Sequence, residues 1–353
     1  MHYKLFKNCF LPKLNKSILL AILVFSTLCS CTRHEEEMTC IPVIFDTDAG
    51  NDIDDVLAMQ MLFNYEKAGK IDLLGITISK SNPYTIEYID GYCRLNGRND
   101  IPLGYAYNGV NPEDGNYLRQ TIDTIIDGNK ILFPQRSINN SIPEGYKLLR
   151  KMLAAQKDSS VVFIAVGPET NLARLLTSEP DEYSTLNGKS LIARKVKVLS
   201  VMAGRFDERV DHPEWNILQD LNAAQTTFKE WPTPIIASGW EIGTSILYPH
   251  QSILNDFPDS YKHPLCVSYK IYQRMPYDRE TWDLTSVLQA IEPESNYFNL
   301  SEKGIITIDS IGQSIFSTSE NGKHQYLIMQ KEENIQTILK ALVNQVTGKK
   351  IKL

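Results

Sequence analysis

Five aspartates lie within ten residues near the start of the chain, in the segment IPVIFDTDAGNDIDDVLAMQ that covers residues 41–60. They are Asp46, Asp48, Asp52, Asp54 and Asp55. Carboxylates this close repel one another unless a cation or hydrogen-bond donors compensate their charge. Oxygen ligands of this kind suit a hard cation such as Ca²⁺. The pattern predicts a metal site, and the alternative is a solvated acidic loop in which one or two aspartates cap a helix.

The aspartates stand between a strand signal and a helix signal. The apolar run Val43–Phe45 predicts a strand, and the apolar pattern over Val56–Tyr65 predicts a helix. The acidic residues therefore occupy a strand-to-helix loop. Asp48 and Asp55 can reach one ion only if this loop folds back, which Gly50 permits.

Strand and helix signals then alternate along the chain. Further strands are predicted at Leu73–Ile78, Val161–Val166, Val196–Met202 and Ile235–Ala237. Helices are predicted at Thr85–Leu95, Gly145–Gln156, Asn171–Leu176 and Ala223–Lys229. This alternation predicts an α/β fold, an open Rossmann-type sheet that is mostly parallel and has helices on both faces. Ligands of such sheets bind at the carboxyl ends of the strands, so we expect one site assembled from distant segments.

The remaining body of the chain is expected to complete the same domain. Gly104–Asn140 is irregular and rich in turn residues, which is typical of a loop over a site. Ile305–Phe316 and Gln325–Met329 predict strands joined by a hairpin turn, and Ile335–Val346 predicts a closing amphipathic helix. We expect residues 41–353 to form a single domain.

The first 40 residues have the features of a targeting segment. The first 30 contain four lysines, no acidic residue and a short apolar stretch, Ser17–Leu28. The following Leu28-Cys29-Ser30-Cys31 resembles a bacterial lipobox, which implies cleavage before Cys31 and attachment of a lipid to its sulfur. We expect residues 1–30 to be a signal peptide, residues 31–40 a tether, and the protein to be lipid-anchored in a bacterial cell envelope. An ordinary signal peptide or an uncleaved anchor is the alternative.

Charge and cysteine content limit the classes of partner. The formal net charge is −6, and since the first 30 residues contribute +4, the rest carries −10. An acidic body disfavours binding to nucleic acid or to an anionic membrane surface. After Cys31 only Cys40, Cys93 and Cys266 remain, without metal-binding spacing, so at most one disulfide is expected.

Four further segments contain residues suited to ligand contact. They are residues 166–173 (VGPETNLA), 202–204 (MAG), 214–216 (EWN) and 282–285 (WDLT). Together with the acidic loop, and in this order, they resemble the nucleoside hydrolase family, the inosine–uridine-preferring N-ribohydrolases, from about Ile41 to about Gln289. The resemblance implies hydrolysis of the N-glycosidic bond of small-molecule ribonucleosides with one bound Ca²⁺, and members are commonly dimers or tetramers.

The resemblance also assigns roles to residues. It implies that Asp48, Asp55 and Asp283 bind Ca²⁺ through their side chains and Thr170 through its backbone carbonyl. Asp48 is further expected to act as general base on a water whose pKa the ion lowers. The implied ribose contacts are Asp54 at the 2′-hydroxyl, Asn82 and Asn216 at ribose hydroxyls, Glu214 at the 5′-hydroxyl and the backbone of Met202 in the pocket wall.

Each of these residues has a plain structural alternative. Asn82 precedes a proline and is also typical of a turn. Met202 and Trp215 are also typical of core packing. Glu214, Asn216 and Asp283 are also typical of helix starts.

Two departures from the family pattern affect the site. Asn51 and Asp52 look like an insertion in the acidic loop, so Asp52 is an alternative to Asp54 for sugar binding. Trp282 stands where many members have a His that protonates the departing base. The purine-specific branch of the family also has a Trp at this position. This resemblance predicts a purine nucleoside stacked on Trp282, and the alternative is that Trp282 belongs to the core.

Two other functions remain open from the sequence. The segment VIFDTD (residues 43–48) is similar to the nucleophile motif of haloacid-dehalogenase-type phosphatases, with Asp46 as nucleophile, although their later Lys and acidic motif are not found. Because the usual His is missing, a surface lipoprotein that binds a nucleoside or sugar without cleaving it is the second alternative.

Overall fold

A mixed sheet organises the molecule, which is a computed structural model describing residues 40–140, 142–207, 212–329 and 334–349. The strands in these residues are β1 (Ile41–Thr47), β2 (Ile71–Lys80), β3 (Leu103–Val110), β4 (Ile125–Ile126), β5 (Asn129–Lys130), β6 (Val161–Ala165), β7 (Val196–Met202), β8 (Ile235–Ser238), β9 (Leu247–Tyr248), β10 (Arg279–Glu280), β11 (Phe298–Leu300), β12 (Gly304–Ile308), β13 (Ser314–Thr318) and β14 (His324–Met329). Two short pairs, β4 with β5 and β9 with β10, stand apart from the main sheet.

The main sheet is parallel over most of its width. Its order is β13-β12-β14-β8-β7-β6-β1-β2-β3, and β11 pairs with β14. All neighbours from β14 across to β3 run parallel, whereas β11, β12 and β13 pair antiparallel at one side. The carboxyl ends of the parallel strands therefore meet along one edge, where ligands bind in such folds.

Helices cover both faces of this sheet. They are α1 (Asp54–Lys67), α2 (Pro83–Leu95), α3 (Leu118–Asp123), α4 (Gly145–Ala155), α5 (Thr170–Leu176), α6 (Gly188–Lys195), α7 (Trp215–Gln219), α8 (Leu221–Glu230), α9 (Trp240–Thr244), α10 (His250–Asn255), α11 (Pro264–Tyr272), α12 (Trp282–Ile291) and α13 (Ile335–Thr347). One core lies between the sheet and α1, α2, α12 and α13, and the other between the sheet and α4, α5, α6 and α8.

The two cores explain the continuous apolar run of β1. Val43 and Phe45 belong to one core and Ile44 to the other, and all three are fully buried. A central parallel strand meets no water on either face, so both sets of side chains are apolar. The predicted α/β fold with a mostly parallel central sheet is confirmed.

The antiparallel edge differs from its prediction. Ile305–Phe316 is not one strand but two, β12 and β13, which form a hairpin. The turn is made by Asp309, whose Oδ1 accepts hydrogen bonds from the backbone of Ile311 and Gln313, and by Gly312 at φ +90°. Asp and Gly favour such a turn within an otherwise apolar run. The prediction for residues 104–140 missed β3, which occupies the sheet edge.

The residues around Cys40 mark the start of the described fold. Cys40–Leu353 forms one compact unit. The predicted lipidation site Cys31 and the predicted signal peptide lie outside the described residues. Cys40, Cys93 and Cys266 are all free thiols, and no helix in the described part is long and apolar enough to cross a membrane.

Candidate active site

A cavity of about 540 Å³ opens at the carboxyl edge of the sheet. Its lining comes from segments that follow different strands, as expected for an α/β sheet. The lining residues are Asp48, Asn51, Asp52, Asp54, Asp55, Glu113, Asp114, Gly115, Asn116, Val166, Met202, Glu214, Trp215, Asn216, Trp240, Trp282 and Asp283. Most of the residues predicted from the sequence therefore share one cavity, although they span more than two thirds of the chain.

Three buried carboxylates form a compact cluster in this cavity. Oxygen atoms of Asp54, Asp55 and Asp283 lie within 4.8 Å of one another. Asp54 and Asp55 begin α1, Asp283 lies in the first turn of α12, and the backbone N–H of Asp283 donates to Asp54 Oδ2 at 3.1 Å. The hydroxyl of Thr47 donates to Asp55. The start of α1 and the start of α12 are thus joined by the hydrogen bond from the Asp283 backbone to the Asp54 carboxylate.

The electrostatics of the cluster call for a cation. Burial raises the pKa of Asp54, Asp55 and Asp283 well above the usual range, and the charges of neighbouring aspartates raise it further. Desolvation and like charge both disfavour the ionised form, and a bound cation reverses this preference. The donors are all carboxylate oxygens, which are the ligands of a hard divalent ion such as Ca²⁺. The residues present therefore fit the metal that the resemblance implies.

Asp48 lines the same cavity directly after β1. It is 5% exposed, and burial raises its pKa to about 7, against the opposing effect of the Lys80 charge. A side chain at Gly167 would place its Cβ 2.8 Å from the backbone N of Asp48. The glycine at the end of β6 therefore allows the two strand ends to approach closely. Asp48 is not part of the compact cluster of Asp54, Asp55 and Asp283.

The two residues that look inserted in the acidic loop are each held by a basic side chain. The fully buried Lys80 donates to Asn51 Oδ1 at 2.8 Å. Arg279 forms a two-pronged ion pair with Asp52, with Nε 2.8 Å from Oδ1. Asp52 therefore already has a strong partner. Asp54, which is the residue predicted to bind the 2′-hydroxyl, has no such ion pair among the described contacts.

The end of β7 and the segment after it contribute three of the predicted residues. Glu214 caps α7, and its carboxylate accepts hydrogen bonds from the backbone N–H of Asn216 at 2.8 Å and of Ile217 at 3.2 Å. The amide of Asn216 donates to the carbonyls of Val166 at 3.1 Å and Met202 at 3.2 Å. Glu214 thus caps a helix, as its structural alternative proposed, and it also lines the cavity.

Tryptophans form the apolar part of the lining. The Trp282 indole N–H donates to the carbonyl of Trp240 at 2.9 Å and to Thr244 Oγ1 at 3.0 Å. Trp215 is 55% exposed. Trp282 is only half-buried, so it is available to a ligand and is not simply a core residue. Trp215 lines the cavity as well, contrary to the packing role that is its structural alternative.

Two predicted residues do not line the cavity. Asn82 caps α2, and its amide donates to the Pro112 carbonyl at 2.9 Å and to Asp114 Oδ1 at 3.2 Å. Asn82 therefore has a local structural role, as its alternative proposed, because its side chain caps α2 and holds the loop after β3.

Thr170 is the second of these residues. It begins α5, and its hydroxyl donates to Asp220 Oδ2 at 2.6 Å. The Thr170 side chain is therefore used outside the cavity, whereas the predicted ligand role of its backbone carbonyl stays a prediction. Val166 is the residue of this motif that lines the cavity.

Asp46 is also not among the residues that line the cavity. It is fully buried, and Oδ2 accepts hydrogen bonds from Thr77 at 2.5 Å and from Asn171 at 2.8 Å. A phosphatase nucleophile must reach its substrate, which Asp46 cannot do here. The phosphatase alternative is therefore excluded by the position of this side chain.

Sequence reasoning missed the loop that follows β3. Glu113, Asp114, Gly115 and Asn116 line the cavity, and the Asn116 backbone N–H donates to the Gly50 carbonyl at 2.8 Å. Gly115 has φ +73°, and a Cβ there would lie 2.3 Å from that carbonyl. The turn residues at these positions indicated a loop over the site but not which side chains enter it. Trp240 was missed because no motif surrounds it.

Comparisons with known proteins agree with this fold. The family model described as inosine-uridine preferring nucleoside hydrolase matches residues 43–342. The chain is 27% identical over 214 residues to a pyrimidine-specific ribonucleoside hydrolase, RihA, of Citrobacter koseri, which covers 57% of this chain and 61% of that protein. RihA of an Enterobacter species is 26% identical over 214 residues, with 57% and 60% covered. These matches span less than two thirds of the relatives' length.

Solved structures share the fold at low sequence identity. An inosine-guanosine nucleoside hydrolase is 18% identical with a TM-score of 0.64, covering 86% of this chain and 98% of its own. A purine-preferring ribonucleoside hydrolase from Gardnerella vaginalis is 16% identical with a TM-score of 0.64, covering 87% and 98%. The family model covers most of the chain, and the acidic cavity lies where this fold binds ligands. The protein belongs to the inosine-uridine preferring nucleoside hydrolase family.

Proposed function

We propose that this protein hydrolyses the N-glycosidic bond of ribonucleosides and releases free base and ribose. The observation that carries the proposal is the buried cluster of Asp54, Asp55 and Asp283, with Asp48 in the same cavity. A cluster of this kind destabilises a fold unless it serves a cation, because each carboxylate is desolvated and repelled by the others. Family membership supports the same chemistry.

The chain supplies a base and a charged environment for the reaction. Asp48 accepts the proton of the attacking water, since a carboxylate that lines the cavity can serve as a general base. Cleavage of a glycosidic bond passes through an oxocarbenium-like state, whose positive charge the surrounding carboxylates stabilise. Asp54, Glu214 and Asn216 bind ribose hydroxyls, and Met202 closes the wall beside them.

Ca²⁺ is the proposed resident ion. Asp55 and Asp283 would hold it, with Asp48 and Asp54 completing the set of carboxylates. When bound, the ion would supply positive charge that polarises the attacking water and the ribose hydroxyls. The all-oxygen donor set supports Ca²⁺ over Zn²⁺, which favours nitrogen and sulfur ligands.

Purine nucleosides are the proposed substrates. Trp282 is half-buried and lines the cavity beside Trp240, so a base can stack on an aromatic wall. A two-ring base gains more stacking area than a pyrimidine on this wall. The curated relatives that match are named for pyrimidine specificity, and two solved structures are named for purine substrates. Hydrolysis rates of inosine and guanosine against uridine test this preference.

The Asp48→Ala variant tests the proposed mechanism. The purified protein in Ca²⁺ should release free base from inosine, and Asp48→Ala should lower kcat by about a hundredfold to ten-thousandfold because the general base is lost. Asp72→Ala is the matched control, since Asp72 is an exposed aspartate at the start of β2. Full activity of Asp48→Ala would refute the mechanism, and binding of inosine without turnover by the wild-type protein would indicate a receptor.

We also propose that Cys31 carries a lipid that anchors the protein in a bacterial cell envelope. The apolar stretch and the Leu-Cys-Ser-Cys sequence support this processing. We expect the mass of the mature amino-terminal peptide to include a diacylglycerol group on Cys31. The Cys31→Ala variant should lose that group and leave the membrane fraction, whereas an unmodified wild-type peptide would contradict the proposal.

A further inference from the structure

The cavity lining is acidic and has no basic side chain among the described residues. Eight lining residues are carboxylic acids and none is Lys, Arg or His. They are Asp48, Asp52, Asp54, Asp55, Glu113, Asp114, Glu214 and Asp283. A concave surface of one charge sign raises the local concentration of ligands of the opposite sign. The cavity is thus suited to a cationic ligand and unsuited to a phosphorylated one.

Part of this negative charge is already compensated by basic side chains that do not line the cavity. Glu113 pairs with Lys80 at 3.1 Å, and Asp52 pairs with Arg279. A divalent ion would compensate part of the charge of the aspartate cluster. Asp114 has no ion pair among the described contacts and accepts only the hydrogen bond from Asn82. The cavity therefore keeps an excess of negative charge even with a metal bound.

The aromatic wall is suited to a planar cation. Trp215, Trp240 and Trp282 line the cavity, and the face of an indole ring attracts cations more strongly than other aromatic rings. Two of these rings already contact a guanidinium group that does not line the cavity. Arg205 lies 4.3 Å from the Trp240 ring centre and Arg279 lies 5.0 Å from that of Trp282. Both guanidinium groups are paired with carboxylates, so they add little net positive charge to the wall.

Carboxyl groups are the only acids that the described lining offers to a leaving group. A neutral base must take up a proton as it departs, and imidazole, phenol, thiol and ammonium groups are all missing from the described lining. A base that already carries a positive charge leaves as a neutral molecule and needs no such proton. A neutral base therefore depends on one of these carboxyl groups being protonated, whereas a positively charged base does not.

We propose that this site cleaves ribonucleosides whose base bears a fixed positive charge, such as an N-ribosylated pyridinium or an N7-alkylated purine. The inference rests on the proposed nucleoside hydrolysis and narrows its substrate class. The bond between C1′ and the base nitrogen breaks, and its electron pair passes to that nitrogen, which cancels the charge of the base. The water oxygen bonds to C1′, and the released proton passes through Asp48 to solvent. The products are neutral base, ribose and one proton.

Charge recognition is tested apart from reactivity, because charged nucleosides are intrinsically easier to cleave. Calorimetry on the purified full chain with Ca²⁺ compares binding of 1-methylnicotinamide, a planar cation, with nicotinamide, its neutral counterpart. We expect the cation to bind more tightly, and Asp114→Asn to reduce that preference by about twofold to fivefold, as expected for loss of one partly exposed charge. Asp72→Asn makes the same change of charge outside the cavity and should leave the preference intact.

Hydrolysis assays with inosine, 7-methylinosine and nicotinamide riboside complete the test. Equal affinity for the two nicotinamides, or a preference that Asp114→Asn does not change, overturns the inference. Cleavage of inosine but not of the charged nucleosides also overturns it and leaves the proposed function standing. Failure to cleave any of the three refutes the proposed function itself. Cleavage of the charged nucleosides, together with tighter binding of the cation, supports both.

Discussion

Glu169 is a buried carboxyl group that the proposed chemistry does not use. It lies between Pro168 and Thr170 and is fully buried, and neither carboxylate oxygen has a hydrogen-bond partner in the part of the chain that the structure describes. Burial raises the pKa of Glu169 well above its usual value, and the charge of Glu214 raises it further. An unpartnered buried acid is costly to ionise, so this residue makes the fold sensitive to pH.

Replacing Glu169 by Leu should stabilise the protein more at high pH than at low pH. The folded-state pKa lies above the unfolded value of 4.5, so unfolding releases a proton above that pH. The Glu169 contribution therefore lowers stability as the pH rises from 4.5 towards the folded pKa. Urea unfolding at about pH 5 and about pH 8 measures the free energy of unfolding. A gain for Glu169→Leu that is independent of pH, or equal to that of the exposed control Glu182→Leu, would contradict this account.

At the scale of secondary-structure elements, Arg279 joins three parts of the site. It lies in β10, pairs with Asp52 of the acidic loop, and its guanidinium lies 5.1 Å from the Tyr272 ring of α11 and 5.0 Å from the Trp282 ring of α12. A planar guanidinium can pair and stack at once, which a lysine cannot do. The arrangement fixes the acidic loop against the aromatic wall.

Replacing Arg279 by Met should loosen this contact and weaken substrate binding. We expect KM to rise by about tenfold, which corresponds to loss of roughly one charge-assisted hydrogen bond, while kcat falls less. Arg279→Lys should fall between the wild type and Arg279→Met because it keeps the charge but not the stacking. Arg119→Met is the control, since Arg119 is exposed, lies over the Tyr84 ring and pairs with Asp123, none of which lines the cavity. Unchanged kinetics in Arg279→Met would show that the contacts of Arg279 have no role in substrate binding.

At the scale of the whole molecule, the aspartate cluster connects distant parts of the chain. Asp55 comes from α1 and Asp283 from α12, and these two helices pack on the same face of the sheet. Without an ion their carboxylates repel each other. A bound cation turns this repulsion into a cross-link, so metal binding and global stability are linked.

Adding Ca²⁺ should raise the melting temperature of the protein. At a concentration of about one hundred times Kd, the gain is roughly 2.7 kcal/mol, which is a shift of several degrees in thermal unfolding. The Asp55→Asn variant should lose most of this shift but melt higher than wild type in EDTA, because one repelling charge is gone. Asp72→Asn should behave like wild type. A shift that survives in Asp55→Asn would show that the ion binds elsewhere.

Much of this molecule was predictable from the sequence, for local reasons. The strands at residues 43–45 and 161–166 are visible because a strand buried on both faces must be apolar throughout. Residues 196–202 are mostly apolar despite Lys197 and Ser200. Once they are known, Asp48, Val166 and Met202 fall at strand ends, and parallel strands bring those ends to one edge. The shared cavity of Asp48, Asp55 and Asp283 follows from that order together with the family motifs.

Other features depended on packing between segments far apart in the chain. The pairing of Arg279 with Asp52, the entry of Glu113 and Asp114 into the cavity and the position of Trp240 have no local pattern. The side chains of Asn82 and Thr170 do not line the cavity: that of Asn82 caps a helix, and the Thr170 hydroxyl donates to Asp220. Periodicity reports which face of an element is buried, because burial is a property of each residue. Which side chains meet across a cavity depends on the relative placement of whole elements, which no short stretch of sequence encodes.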